Sequence, residues 1–126
     1  HGVETLFTIM GPGCETVSRT QTKDTDYAVG VWKDGRIGTF RGIRSGKADY
    51  GAFVFGAKSI GSSGGYTGYG PLVEEIVKFF KTGKPPVSAE ETIEIYAFMS
   101  AADESKKRGG APVSIAEVVA NALGKK

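Results

Sequence analysis

A chain of 126 residues is long enough to bury one hydrophobic core but short for two domains. Its net charge of +2 is too small to indicate nucleic acid or an anionic membrane surface as a partner. No apolar run approaches the ~20 residues that a membrane helix needs. One cysteine and one histidine exclude an intrachain disulfide and a four-ligand zinc site. We therefore expect a single domain over residues 1–126 without a nucleic-acid, membrane or metal partner, and we favour a reducing cytoplasm as its compartment.

The first segment predicts a short helix. Apolar residues recur at helical spacing from Gly2 to Met10, and the run Gly11-Pro12-Gly13 ends the pattern. The same run opens like a dinucleotide-binding fingerprint, but Thr16 stands where the last glycine would be, and no strand precedes it. No cofactor site is therefore expected in this segment.

The middle of the chain, from Glu15 to about Ile60, predicts antiparallel strands. Asp26–Trp32 alternates, with Tyr27 on one face and Trp32 on the other. Asp34-Gly35 then predicts a tight hairpin in which both turn residues have positive φ, leading into a partner strand over Ile37–Ile43. A further strand over Asp49–Phe55 would extend this meander.

The rest of the chain predicts a loop and three helices. The loop is the glycine-rich run Gly61–Gly70, followed by a helix from Gly70 to Gly83. A capping box at Ser88 starts a helix to about Lys107, and a second one at Ser114 starts a helix to Leu123. In the long helix we expect these residues to face the core: Ile93, Tyr96, Ala97 and Met99–Ala101.

These elements predict an α+β fold, with an antiparallel β-sheet of about four to six strands and helices packed on one face. The strands do not alternate with helices, so these residues contain no Rossmann domain. Apolar side chains fall on both faces of the strands, and helices can cover one. The other face should therefore meet another domain or subunit, which predicts a homo-oligomer formed through the sheet face. The aromatic residues behind this expectation are Tyr27, Trp32, Phe40, Tyr50, Phe53 and Phe55.

Few residues could carry chemistry. His1 is the only histidine, although a terminal histidine can also belong to a frayed end or a purification tag. Cys14 is expected to be a buried, inert thiol. The arginines Arg36, Arg41 and Arg44 could bind an anion or form cross-strand ion pairs, and we favour the ion pairs. The aspartates of the sheet region are expected in turns and at solvent-facing positions: Asp24, Asp26, Asp34 and Asp49.

Three segments together resemble the Gfo/Idh/MocA oxidoreductases, the relatives of glucose–fructose oxidoreductase and inositol dehydrogenase. Residues 1–11 resemble the helix that opens the second half of those enzymes, with His1, an acidic Glu4 and a closing Gly11. Residues 31–39 resemble the sheet hairpin of the family. Residues 71–92 are similar to its closing segment, a helix followed by a Gly-Lys-Pro link and a second capped helix.

The resemblance implies that this chain is the carboxy-terminal domain of an NAD(P)-dependent enzyme acting on a sugar or polyol. His1 would be the catalytic histidine that exchanges the substrate hydroxyl proton while hydride passes to the nicotinamide. NAD or NADP would be bound by an amino-terminal Rossmann domain outside these residues, together with a lysine. The aspartate that assists the histidine also lies outside, so no activity is expected from this chain alone.

Two functions remain open at this stage. The chain is either this substrate-binding and oligomerisation domain or a non-catalytic binding or assembly module with the same fold. In the first case, Tyr66 and Tyr69 of the glycine-rich loop are candidate substrate-binding residues.

Overall fold

The structure is a computed structural model that describes residues 1–65 and 68–124. Its main sheet has four antiparallel strands in the order β3-β2-β1-β6, and β4 and β5 pair with each other in a second sheet. The predicted α+β class is confirmed. The elements in chain order are α1 (Gly2–Met10), β1 (Cys14–Gln21), β2 (Thr25–Trp32), β3 (Ile37–Ile43), β4 (Phe53–Phe55), β5 (Ile60–Ser62), α2 (Gly70–Thr82), α3 (Ala89–Lys107), β6 (Val113–Ser114) and α4 (Ile115–Gly124).

The hairpin between β2 and β3 has the predicted strands but a different turn. Within it, Gly35 alone has positive φ, at 85°. The Gly35 N–H donates to the Trp32 carbonyl, and the Trp32 N–H donates to the Arg36 carbonyl. This is a three-residue loop closed by a left-handed glycine, so the prediction that Asp34 also has positive φ was wrong. The glycine alone supplies the conformation that side chains disfavour.

The core lies between the inner face of the main sheet and α1, α3 and α4. Its centre is aromatic: the Phe7 ring centroid lies 5.6 Å from that of Trp32 and 5.7 Å from that of Phe98. The sheet admits these rings because Gly30 and Gly38 face them, and a β-carbon on either would approach the Trp32 ring to less than 3.0 Å. The buried apolar residues are Leu6, Phe7, Cys14, Val17, Ala28, Trp32, Ala97, Phe98, Ala101, Ala102, Val113 and Ile115.

Helix α3 turns a different face to the core from the predicted one. Ala97 and Ala101 are buried as expected, but Ile93 and Tyr96 are 57% and 65% exposed. Phe98 enters the core instead, on a stripe with small residues that allow close packing on β1. The helix has apolar residues on more than one side, so periodicity alone does not select the buried side. The buried residues of α3 are Ala97, Phe98, Ala101, Ala102 and Ser105.

The predicted extension of the meander by Asp49–Phe55 was wrong. Within that range, only Phe53–Phe55 forms a strand, and it pairs with Ile60–Ser62 instead of β3. The start of the predicted Gly61–Gly70 loop therefore belongs to β5. We call residues 53–87 the arm; every described residue in it is exposed.

The inner side of the sheet also holds an ion-paired network, which corrects one expectation. Asp26 is not solvent-facing: its side chain is 15% exposed and lies between Arg19 and Arg44. Arg19 Nη2 donates to Asp26 Oδ1 at 2.7 Å, and Arg19 also pairs with Asp103 of α3. Arg36 instead donates to Asp34 in the turn, which is the position predicted for that aspartate. Arg36 and Arg44 thus pair with different aspartates and do not form a common anion site.

Candidate functional site

The best candidate site is the start of α1, where His1 lies. His1 Nδ1 is 3.0 Å from Glu4 Oε2, one turn further along the helix. The His1 ring also meets Tyr50 edge-on, with centroids 6.3 Å apart. The histidine side chain is 84% exposed, so a solute can reach it.

The first turn of α1 packs closely on β3 because residue 2 is a glycine. A β-carbon on Gly2 would lie 2.2 Å from Cε2 of Phe40 on β3, so a larger residue could not take this position without moving the ring. Leu6 packs in the same way over Gly38. Helix α1 therefore lies along β3, and this packing positions His1 at one end of the sheet.

This arrangement suits a proton-transfer group. When Glu4 accepts from Nδ1–H, the imidazole presents Nε2 as an acceptor towards solvent. A carboxylate that orients a histidine in this way is a recurrent feature of general bases. The pair is exposed and lies within one helical turn, so it orients the ring and contributes little to stability.

Of the two tyrosines predicted to bind substrate, Tyr66 lies outside the described residues. Tyr69 is 72% exposed, and its carbonyl accepts the Val73 N–H at the start of α2. The described contacts of the His1 ring are with Glu4 and Tyr50. Sequence reasoning missed Tyr50 as a neighbour because the contact joins distant parts of the chain and no local pattern encodes it.

Cys14 is buried, as the sequence predicted. Burial raises the pKa of its thiol to about 12, and the negative charges of Glu94 and Glu15 add to this effect. The thiolate is the nucleophilic form, so this side chain is unsuited to covalent catalysis at neutral pH.

An open groove of about 520 Å³ lies beside Cys14, between β1, β6 and the start of α3. Its most buried carboxylate, Glu94, is already engaged, because Oε1 accepts the Gly13 N–H at 2.7 Å and the Cys14 N–H at 2.6 Å. Over residues 1–65 and 68–124, no group of three or more His, Cys, Asp or Glu side chains could hold a metal ion. The Glu94 carboxylate in this groove therefore joins α3 to the start of β1, which is a structural contact.

The Gly11–Gly13 turn does not have the features of a dinucleotide-binding loop. The Gly11–Gly13 turn follows a helix, and the Gly13 and Cys14 amides that could meet an anion bond to Glu94 instead. A dinucleotide fingerprint needs a strand before the turn and amides free for the phosphates.

Comparisons with protein-family models, curated protein sequences and solved structures find no match for this chain. Among the described residues, no helix is both long enough and apolar enough to cross a membrane.

Proposed function

We propose that this chain is the substrate-binding and oligomerisation domain of an NAD(P)-dependent sugar or polyol oxidoreductase of the Gfo/Idh/MocA type, inactive by itself. The proposal is carried by His1, which stands where the resemblance expects a catalytic histidine. Its ring is oriented by Glu4 and open to solvent on its other nitrogen.

In this role His1 accepts the proton of a substrate hydroxyl at Nε2, and Glu4 stabilises the imidazolium that forms. Tyr50 borders the ring and limits the directions from which a hydroxyl can approach it. Tyr66 and Tyr69 remain candidate donors and acceptors for sugar hydroxyls. The hydride acceptor and its binding site belong to a Rossmann domain outside these residues.

The test uses the complete gene product. Its sequence upstream of His1 should contain a Rossmann domain, and the protein should reduce NAD or NADP with at least one member of a sugar and polyol panel. His1→Ala should lower kcat by about 10²–10⁴-fold, the usual contribution of a general base. Thr8→Ala is the matched control, since Thr8 is also an exposed residue of α1 and should leave kcat within about twofold.

Two results would contradict the proposal. One is an active enzyme whose kcat does not change in His1→Ala. The other is NAD(P) reduction by residues 1–126 alone, which would require a cofactor site within this chain.

The second candidate is a non-catalytic binding or assembly module. It is favoured by the exposed apolar residues of the arm and of the sheet, which suit protein association whether or not chemistry occurs. A complete gene product without a Rossmann domain would select this candidate.

A further inference from the structure

The imidazole of His1 has contacts on two sides among the described residues. Glu4 Oε2 lies 3.0 Å from Nδ1, and the Tyr50 ring meets the imidazole edge-on at an interplanar angle of 77°. A single hydrogen bond leaves an exposed ring free to tilt about the line that joins the two bonded atoms. The contact with Tyr50, at a centroid distance of 6.3 Å, restricts this tilt, because aromatic rings prefer edge-to-face packing.

Tyr50 is in turn held by the base of the β4–β5 hairpin. Its own backbone N–H donates to Asp49 Oδ1 at 2.7 Å. Two residues later, the Ala52 N–H donates to Ser63 Oγ and the Ser63 N–H donates to the Ala52 carbonyl, both at 2.9 Å. These two bonds continue the ladder of the hairpin by one residue on each side. The segment that carries Tyr50 therefore enters β4 in a fixed direction.

Close backbone packing adds to these hydrogen bonds. A β-carbon on Gly51 would lie 3.4 Å from the Gly64 carbonyl oxygen, and one on Gly65 would lie 3.8 Å from the Tyr50 carbonyl oxygen. The two segments that flank the hairpin therefore run close together as far as Tyr50. A movement of the hairpin base has to move this tyrosine as well.

We propose that Tyr50 is a positioning residue for His1, and that the β4–β5 hairpin places it there. Together they fix the plane of the imidazole, and hence the direction in which Nε2 meets a substrate hydroxyl. A general base depends on such alignment, because its side chain has to be held by neighbouring contacts to act at full rate. The catalytic consequence rests on the proposed function, whereas the coupling of the hairpin to the histidine does not.

Nuclear magnetic resonance of the imidazole tests the coupling. The chain contains one histidine, so the imidazole C–H signals belong to His1. Tyr50→Leu should move these signals, because the ring current of the tyrosine is lost, and Tyr50→Phe should keep their positions. Tyr27→Leu is the matched control, since it removes an exposed tyrosine from the face of the sheet opposite the core, and it should change nothing.

Ser63→Ala tests the part played by the hairpin. It removes the hydroxyl oxygen that accepts the Ala52 N–H. The His1 signals should then move in the same direction as in Tyr50→Leu, but by a smaller amount. Ser59→Ala, at an exposed position near the tip of the same hairpin, is the control and should leave the signals unchanged.

Two results would overturn the coupling in variants whose β1 and β2 amide signals show an intact core. Imidazole signals that are the same in Tyr50→Leu and the unaltered chain would show that the two rings do not pack. Signals that move in Tyr50→Leu but not in Ser63→Ala would show that the hairpin does not place the tyrosine. In the unaltered chain, a nuclear Overhauser effect between the ring protons of His1 and Tyr50 is expected, and its absence would contradict the contact without any variant.

Kinetics of the complete gene product separate this inference from the proposed function. Tyr50→Leu should lower kcat by about tenfold, a fraction of the loss expected for His1→Ala, with a smaller change in KM, and Tyr50→Phe should restore kcat. Unchanged kcat in Tyr50→Leu beside a large loss in His1→Ala would overturn the positioning role and leave the proposed function standing. A gene product without dehydrogenase activity would contradict the proposed function, while the resonance signals of His1 still decide the coupling.

Discussion

Asp26 lies in a mostly buried ion-paired network, whereas aspartates usually lie at exposed positions. Burial on its own would raise the pKa of this carboxyl, but hydrogen bonds and charges from Arg19 and Arg44 hold the pKa below its usual value. The folded chain therefore binds a proton here less readily than the unfolded chain does. The ion pairs of Asp26 stabilise the fold at pH values above the ordinary aspartate pKa. This contribution to stability is lost as pH falls through the folded-state pKa.

Asp26→Asn should lower the free energy of unfolding at pH 7 by about 2 kcal/mol, because two arginines lose their charged acceptor. Urea unfolding at several pH values checks this. The difference from the unaltered protein should begin to shrink below about pH 4, where the unfolded chain takes up the proton first, and should be lost as pH falls through the lower folded-state pKa. Asp24→Asn, two residues earlier and exposed, is the control and should change little. A difference that stays constant down to about pH 2 would contradict this assignment.

Gly30 is fixed by packing and not by backbone conformation. A β-carbon there would lie 2.8 Å from both the Phe98 and the Trp32 rings and 3.2 Å from Cys14 Sγ. Gly30→Ala should destabilise the protein by about 1–3 kcal/mol through overpacking. Thermal unfolding measures the effect. Gly61→Ala, where a β-carbon meets open space, is the control, and equal losses in both variants would rule out overpacking as the cause.

At the scale of elements, one side chain joins the long helix to the sheet. Glu94 of α3 accepts two consecutive amides, Gly13 and Cys14, where β1 begins. Buried amides that lose their acceptor are costly. This carboxylate therefore fixes where α3 lies along β1.

Glu94→Ala should cost about 2 kcal/mol of stability, and Glu94→Gln should cost less because it keeps an oxygen acceptor. Chemical denaturation compares the two with Glu90→Ala, an exposed control one turn earlier. The negative charge of Glu94 raises the pKa of the Cys14 thiol. The Gln variant removes this charge, so its Cys14 should react faster with an aromatic disulfide. Equal stability of the Ala and Gln variants would contradict a role as acceptor.

The sequence predicts those elements whose signals are local. Capping at Ser88 and termination at Gly83 are encoded within a few residues, and both occur as predicted. The buried side of α3 depends on contacts with distant segments, and that prediction was wrong. The predicted pairing of Phe53–Phe55 with β3 was also wrong, because this strand pairs with the nearby Ile60–Ser62. Of the candidate site, His1 and Glu4 are recognisable as neighbours on a helix, whereas the approach of Tyr50 depends on the path of residues 44–50 around the sheet.

At the scale of the whole molecule, the core and the arm differ in how they are stabilised. Residues of β1, β2 and α3 share the buried core, while the described residues of the arm are exposed. Local opening should therefore need much less free energy in the arm than in the core.

Native-state amide exchange at low protein concentration should show this difference. We expect the amides of α2 to exchange at least about a hundredfold faster than those of α3, because α2 opens without disrupting the core. Exchange at high concentration serves as the comparison, since association would protect α2 selectively. Equal exchange of the two helices when the chain is dilute would show that α2 is packed in the monomer.

Trp32 is the only tryptophan of the chain, is 1% exposed and donates its indole N–H to the Gly11 carbonyl at 2.8 Å. Its fluorescence should therefore be emitted at short wavelength in the folded protein and shift to long wavelength when water enters the core. The described arm residues are exposed and lie outside that core, so melting of α2 should leave the emission unchanged. A single intrinsic fluorophore thus reports core unfolding optically and separately from any event in the arm.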